Sequence, residues 1–337
     1  MQKIGIIGCG GFAGLHAKAL ADMPEANVTA LCDVSEDITR GFAARHLEAQ
    51  AAEPYHFTTT KEFFAEGGLD GVVITSPHTL HYQHACEALE ADCHIFVEKP
   101  MVTESAQAHD LKTRVEAAGK ILVIGYNTAC TPEFAYIRES IREGRLGRLE
   151  MVTGFLSQNW KKATVGKWRQ DPALSGGGQA YDSGAHLFNS LVWSVESPIE
   201  EVYAQVDFMD TPVDFNSVTN IRFQNGVLAS ITVSGNSASF AGYMAFIFED
   251  GIIETNGWIC DWIKVQHHGK PVKYPEIPYK PMTPMENFIR SLRGEDTPRT
   301  GPINGVYQAE LMDAIYASAK VNRPVKASEL KEGKVTA

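Results

Sequence analysis

Lys3-Ile4-Gly5-Ile6-Ile7-Gly8-Cys9-Gly10-Gly11-Phe12-Ala13-Gly14 is the stretch on which the fold turns. Ile4 to Ile7 is an apolar run with no alternation, the pattern of a strand buried on both faces of a parallel sheet. It enters a Gly-x-Gly-x-x-Ala turn without a spacer, and a helical segment follows to about Met23. Gly8 permits the tight turn, and Gly10 lets the backbone approach a pyrophosphate. Gly11 and Phe12 complete the turn, and Ala13 (or Gly14) lets the helix pack closely on the strand. Such a glycine pattern gains its meaning from a strand before it and a helix after it, and both are predicted here.

The second predicted strand, Val28 to Cys32, ends at Asp33. A carboxylate about twenty residues past the turn accepts hydrogen bonds from ribose hydroxyls and repels a 2′-phosphate, which favours NAD over NADP. The competing role for Asp33 is to cap the helix beginning near Ser35, and Arg40 leaves room for some NADP use. Strand-helix alternation continues through Asp70–Ile74 and His94–Val97 to Ile121–Ile124, predicting a parallel sheet with right-handed crossovers over residues 1–125. Ligands of such sheets sit beyond the carboxyl ends of the strands. Two of those ends carry chemistry: Thr75-Ser76-Pro77-His78, and Glu98-Lys99-Pro100, where a cation enters the crevice. His78, His81 and His84 are three apart, so on a helix they drift round the surface; no metal site is expected, and His78 or His81 is placed near the nicotinamide.

Of 337 residues, 44% are hydrophobic and 21% charged, which suits a globular protein of two domains. A net charge of −11 argues against a sequence-independent nucleic-acid partner. No apolar run is long enough to span a membrane, and the chain enters a strand at once, so a cytoplasmic protein without a signal peptide is expected. The six cysteines are scattered singly, with neither metal-ligand nor disulfide spacing.

Beyond Gly125 the pattern changes. After a helix from about Pro132 to Glu143, predicted strands at Val202–Phe208, Ser217–Phe223, Leu228–Val233, Tyr243–Phe248 and Ile252–Thr255 succeed one another through short turns. This predicts an open, mainly antiparallel sheet in an α+β domain over 126–337, with helices on one face and a partner subunit on the other. Helices at Met285–Leu292 and Val306–Ala319 are candidates to pack back on the first domain. Before that sheet lie Trp168-Arg169 and Ser175-Gly176-Gly177-Gly178-Gln179-Ala180-Tyr181-Asp182-Ser183-Gly184-Ala185-His186. Three glycines in a row imply a tight turn or a close approach to a ligand. A helix starting near Gly177 would put Asp182 and His186 on one face, where carboxylate and imidazole can couple. A histidine is the usual proton carrier at neutral pH.

Taken together, these residues resemble the Gfo/Idh/MocA oxidoreductase family over nearly the whole chain. The resemblance rests on Gly8-x-Gly10-x-x-Ala13, Asp33, Thr75-Ser76-Pro77, Glu98-Lys99-Pro100, Gly176-Gly177-Gly178 and Asp182-x-x-x-His186. It implies a Rossmann domain followed by an open-sheet substrate domain, dimers or tetramers, and NAD(P)-dependent oxidation or reduction of a sugar, polyol, inositol or anhydrosugar. It further implies Lys99, Asp182 and His186 as substrate and proton-transfer residues, with Trp168 and Arg169 near the cofactor. The chain departs from the family at Asn189, where an Asp is common, and at Asn127-Thr128-Ala129, where basic residues are common. Both positions shape the family's substrate pocket; Asn127 and Asn159 are the polar candidates here, with Trp160, Lys161 and Lys162 beside them. Two other activities fit the same residues: an NAD-dependent glycosidase acting by transient oxidation and elimination, and a non-catalytic NAD-binding sensor.

Overall fold

The computed structural model describes every residue except 51, 67, 274 and 276–279. It divides into two compact units, Met1–Gly125 with Met282–Gly305, and Tyr126–Pro281 with Val306–Ala337.

Among the described residues the first unit is built on six strands: β1 (Gln2–Ile7), β2 (Ala26–Cys32), β3 (Tyr55–Phe57), β4 (Gly71–Ile74), β5 (His94–Val97) and β6 (Leu122–Ile124). Their order is β3-β2-β1-β4-β5-β6, and every pair is parallel. Strands β4, β5 and β6 and the Ile4–Ile7 part of β1 are short, apolar and almost wholly buried, as in a parallel sheet covered on both faces, while the edge strand β3 is not. The helix Pro284–Leu292 belongs to this unit; its Met285, Phe288 and Ile289 share a core with Ile4, Val73 and Phe96. The register aligns the strand ends. Ile7 pairs with Cys32 and Ile74, Ile74 with Val97, and Val97 with Ile124. Gly8, Asp33, Thr75, Glu98 and Gly125 therefore leave the sheet along one edge.

Among the described residues the second unit holds nine strands: β7 (Leu149–Ser157), β8 (Ile199–Asp207), β9 (Asn216–Phe223), β10 (Leu228–Ser234), β11 (Ala241–Phe248), β12 (Gly251–Thr255), β13 (Ile263–His267), β14 (Lys270–Val272) and β15 (Val325–Lys326). The order is β14-β13-β12-β11-β7-β10-β9-β8-β15, antiparallel throughout except for the parallel pair β7–β10. β7, absent from the predicted strands, is a central one. Its even positions from Val152 to Leu156 face a core formed with Phe246, Leu187, Phe188, Leu191 and Ile315. The opposite face leaves Met151 and Phe155 41% exposed and Val218 46% exposed.

Candidate active site

In the first unit, Gly8 has a φ of +89°, and a Cβ there would lie 2.7 Å from the Ser76 nitrogen. Glycine is required at this turn. Gly10 and Gly11 differ, since a Cβ on either would meet nothing within 4 Å. Gly10 is the N-cap of the helix Gly11–Ala21, with no side-chain capping bond and no acidic residue in the first turn. No side chain caps the start of this helix, and the space where a Cβ on Gly10 or Gly11 would sit is open. Ala13 is buried against the sheet, while Phe12 is 51% exposed.

Asp33 sits beside this turn. Its Oδ2 accepts from the Cys9 N–H at 2.7 Å and its Oδ1 from the Val34 N–H at 2.7 Å. Arg40 is taken up by Glu36 at 2.6 Å and faces Glu53 at 3.7 Å, so its charge is already compensated. An open, uncapped helix start with a carboxylate next to it fits a dinucleotide, with the diphosphate at Gly10–Gly11 and the ribose at Asp33.

The other strand ends hold one another. The Ser76 hydroxyl lies 2.9 Å from His84 Nδ1, and Pro77 leads into a single 3-10 turn, His78–Leu80. His81, expected beside the nicotinamide, is fully buried; its Nδ1 lies 2.7 Å from the Pro100 carbonyl and its Nε2 2.9 Å from that of Ser76. It ties two loops together, with both ring nitrogens on backbone carbonyls. Burial pushes its pKa down, against the pull of the two carbonyls. His78 is buried too, with its ring edge-on to His81 at 5.8 Å.

Glu98 is another expected cofactor contact, yet its Oε1 lies 2.7 Å from His16 Nε2. Its Oε2 accepts from the Lys99 N–H at 3.1 Å. Burial would raise this carboxyl, but the hydrogen bond and charge of His16, and then Lys99, outweigh it and hold the pKa at about 2. Glu98 is an anchor for the helix behind the glycine turn. Lys99 is buried, and its peptide to Pro100 is cis.

In the second unit the helix begins at Gly184 and runs to Val195, later than the start near Gly177 that the spacing suggested. Asp182 therefore precedes the helix that carries His186, and the expected one-face pairing does not apply. A short helix, Pro172–Ser175, closes on Gly176 at a φ of +74°. Gly177 and Gly178 then pack on the chain itself. A Cβ on Gly177 would lie 2.4 Å from the Tyr181 ring, and one on Gly178 2.1 Å from the Asp214 carbonyl.

Asp182 is buried, and its Oδ2 accepts from the Trp160 indole at 2.6 Å and from Arg169 Nε at 3.0 Å. The Arg169 guanidinium lies over the Trp168 ring at 4.5 Å. Trp168 and Arg169 are thus gathered with Asp182 in one cluster, and Trp160 belongs to it. The half-buried His186 lies edge-on to Trp258 at 4.2 Å and to Tyr126 at 5.8 Å. Asn127 joins that group, its amide reaching the Trp258 carbonyl at 3.4 Å. Asn159 is exposed at the start of the turn Trp160–Ala163, and Lys161 lies over the Phe215 ring. Sequence reasoning missed His16, Trp258, Asp214 and Tyr316, each lying far along the chain from its partner. Among the described residues no group of His, Cys, Asp and Glu is placed to hold a metal, and no helix is long and apolar enough to cross a membrane.

A parallel sheet with an open glycine turn, joined to an open sheet carrying an aspartate and a histidine after a second glycine run, defines a nucleotide-dependent oxidoreductase of two domains. The chain belongs to the GFO/IDH/MocA family: residues 2–126 match its oxidoreductase domain of NAD-binding Rossmann fold, and residues 134–254 its C-terminal domain. Levoglucosan dehydrogenase of Pseudarthrobacter phenanthrenivorans is 26% identical over 72% of this chain and 70% of its own length. D-glucoside 3-dehydrogenase of Escherichia coli is 25% identical over 58% and 54%. In structure, a levoglucosan dehydrogenase in complex with NADH superposes with a TM-score of 0.85 at 20% identity, over 97% of this chain and 99% of that one. The WlbA dehydrogenase of Bordetella pertussis, in complex with NADH and UDP-GlcNAcA, has a TM-score of 0.83 at 23% identity, over 96% and 97%. At these identities the structural likeness speaks for the fold.

Proposed function

We propose that this protein is an NAD-dependent dehydrogenase that moves a hydride between a nicotinamide and a hydroxyl-bearing carbon of a sugar, polyol, inositol or anhydrosugar. The observation that carries the cofactor half is the open, uncapped helix start at Gly10–Gly11 with Asp33 beside it. The substrate half is supported by relatives that are dehydrogenases of levoglucosan and of D-glucosides. When bound, the nicotinamide supplies the hydride acceptor. His186 takes the hydroxyl proton as general base, and the Lys99 ammonium stabilises the charge growing on that oxygen. Asp182, held by Arg169 and Trp160, orients His186 or binds a neighbouring hydroxyl. The Asp33 carboxylate and the neutralised Arg40 favour NAD over NADP.

A panel of sugars, inositols and anhydrosugars, with NAD and NADP in parallel, tests the proposal through absorbance of the reduced cofactor. Stoichiometric NADH with one substrate is expected, and Lys99→Ala should lower kcat by about 100-fold or more while NADH still binds. Full activity in that variant would remove Lys99 from the mechanism. Glycoside cleavage without net NADH would make the protein a glycosidase instead. The exposed Met151, Phe155 and Val218 on the sheet's outer face support a homo-oligomer through that face. Sedimentation equilibrium should give a multiple of the chain mass, and Phe155→Lys should shift it to the monomer.

A further inference from the structure

The Asp214 carboxylate lies in the β8–β9 connection, is 1% exposed and gathers donors from distant parts of the second unit. Its Oδ1 accepts from the Gly178 N–H at 2.7 Å and from the Tyr316 hydroxyl, and its Oδ2 from the Ala180 N–H at 2.8 Å. The Asp214 carbonyl accepts from the Gln179 N–H at 2.9 Å. Three successive amides of the glycine turn therefore end on one residue, the arrangement an anion would take up in a nest of backbone N–H groups.

The turn so held is continuous with the candidate catalytic groups. The Asp182 N–H donates to the Gly178 carbonyl at 3.0 Å, and the Gly184 N–H to that of Gln179 at 2.8 Å, which starts the helix bearing His186. The next residue, Phe215, meets the Trp160 ring edge-on at 5.4 Å, and it is the Trp160 indole that donates to Asp182. One dipeptide, Asp214-Phe215, thus supports Asp182 from both sides.

A buried carboxylate is a costly way to hold a loop if stability alone is required, since apolar packing does it at less cost. What apolar packing cannot do is take up several backbone N–H groups at once and set their directions. We infer that Asp214, steadied by Tyr316, is a positioning residue: it fixes the Gly178–Asp182 turn and thereby the placement of Asp182 and His186 for proton transfer. This role rests on the dehydrogenase activity proposed for the site. Burial pushes the Asp214 carboxyl upward, while Tyr316, Ala180 and Gly178 pull it back down.

Asp214→Asn replaces one acceptor oxygen by an NH2 that faces a donor, and Tyr316→Phe removes only the hydroxyl. Both are to be assayed for NADH binding, for steady-state rates per NADH-binding site and for amide exchange. Asp214→Asn should lower kcat per binding site by about 100-fold, as small misplacements of reacting groups do, with KM for NAD unchanged. Gly178, Gln179 and Ala180 amides should exchange faster, and Tyr316→Phe should lie between that variant and wild type. A purely structural role would lower the number of binding-competent molecules and leave kcat per site intact; that result, or unchanged exchange at Gly178 and Ala180, overturns the inference. If Asp214→Asn does not fold, Tyr316→Phe carries the comparison alone. If the wild-type protein reduces NAD with no sugar, the proposed function fails, while the exchange data still decide whether Asp214 clamps the turn.

Discussion

The glycine pairs Gly10-Gly11 and Gly177-Gly178 read alike as letters and do opposite things in space. A Cβ on Gly10 or Gly11 would point into open space, whereas one on Gly178 would meet the Asp214 backbone and one on Gly177 the Tyr181 and Tyr316 side chains. Each has a carboxylate near it, Asp214 fully buried and Glu98 partly so. In the first unit Glu98 turns away to His16 behind the helix, so the helix start stays open for an anion from outside. In the second unit Asp214 takes the amides itself, so no place for an external anion is left. A run of glycines marks a close approach to the backbone; the identity of what approaches is a matter of which partner the fold delivers.

The strongest way to break this contrast is Gly178→Ala. Its Cβ would lie 2.1 Å from one backbone atom and 2.6 Å from another. Backbone cannot swing aside as a flexible side chain can, so a loss of about 3 kcal/mol or more is expected in denaturant unfolding, at the upper end of overpacking costs. A soluble variant with wild-type stability would show that Gly178 has as much room as Gly10 and Gly11.

Next in size is the anchor behind the first run. The Glu98 carboxyl is lowered from the usual 4.5 to about 2 in the folded chain. A group depressed in this way adds stability that is full above the unfolded value and is lost as pH falls through the folded one. Between pH 4.5 and 2 the wild-type protein should therefore lose about 3 kcal/mol from this group. Glu98→Gln should be less stable at neutral pH and show a flatter acid limb; an unchanged limb would mean that His16 and Glu98 are not coupled.

The smallest expected effect is Gly10→Ala, and its direction is the informative part. Nothing within 4 Å opposes the new Cβ, and Gly10 has ordinary extended backbone angles, so the thermal midpoint should not move. NADH affinity should fall by about tenfold, about 1.4 kcal/mol, because the methyl group would enter the space proposed for the diphosphate. Unchanged affinity would move the diphosphate away from Gly10.

Much of this was legible in the chain, and unevenly so. The β1 run, the glycine turn and Asp33 are local features, and each works through backbone geometry that a few neighbouring residues dictate. The helix start at Gly184 was not legible, because the glycines before it are held in a turn by Asp214, 36 positions away. β7 escaped for a similar reason, since it is a strand only because β10 and β11 flank it. Glu98 and His81 looked like ligand contacts because they stand at strand ends, yet His16, Pro100 and Ser76 satisfy them from within.

The amino-acid sequence by itself determined the parallel sheet, the glycine turn at its first strand and the residue types available for proton transfer, since these come from periodicity and from turns of a few residues. The tertiary structure alone decided which polar groups face outward and which are consumed inside, because a hydrogen bond is set by the distance between two groups and not by their separation along the chain. Asp214 and Glu98 are equally acidic as letters. Only folding made one the clamp of a closed turn and the other the support of an open one.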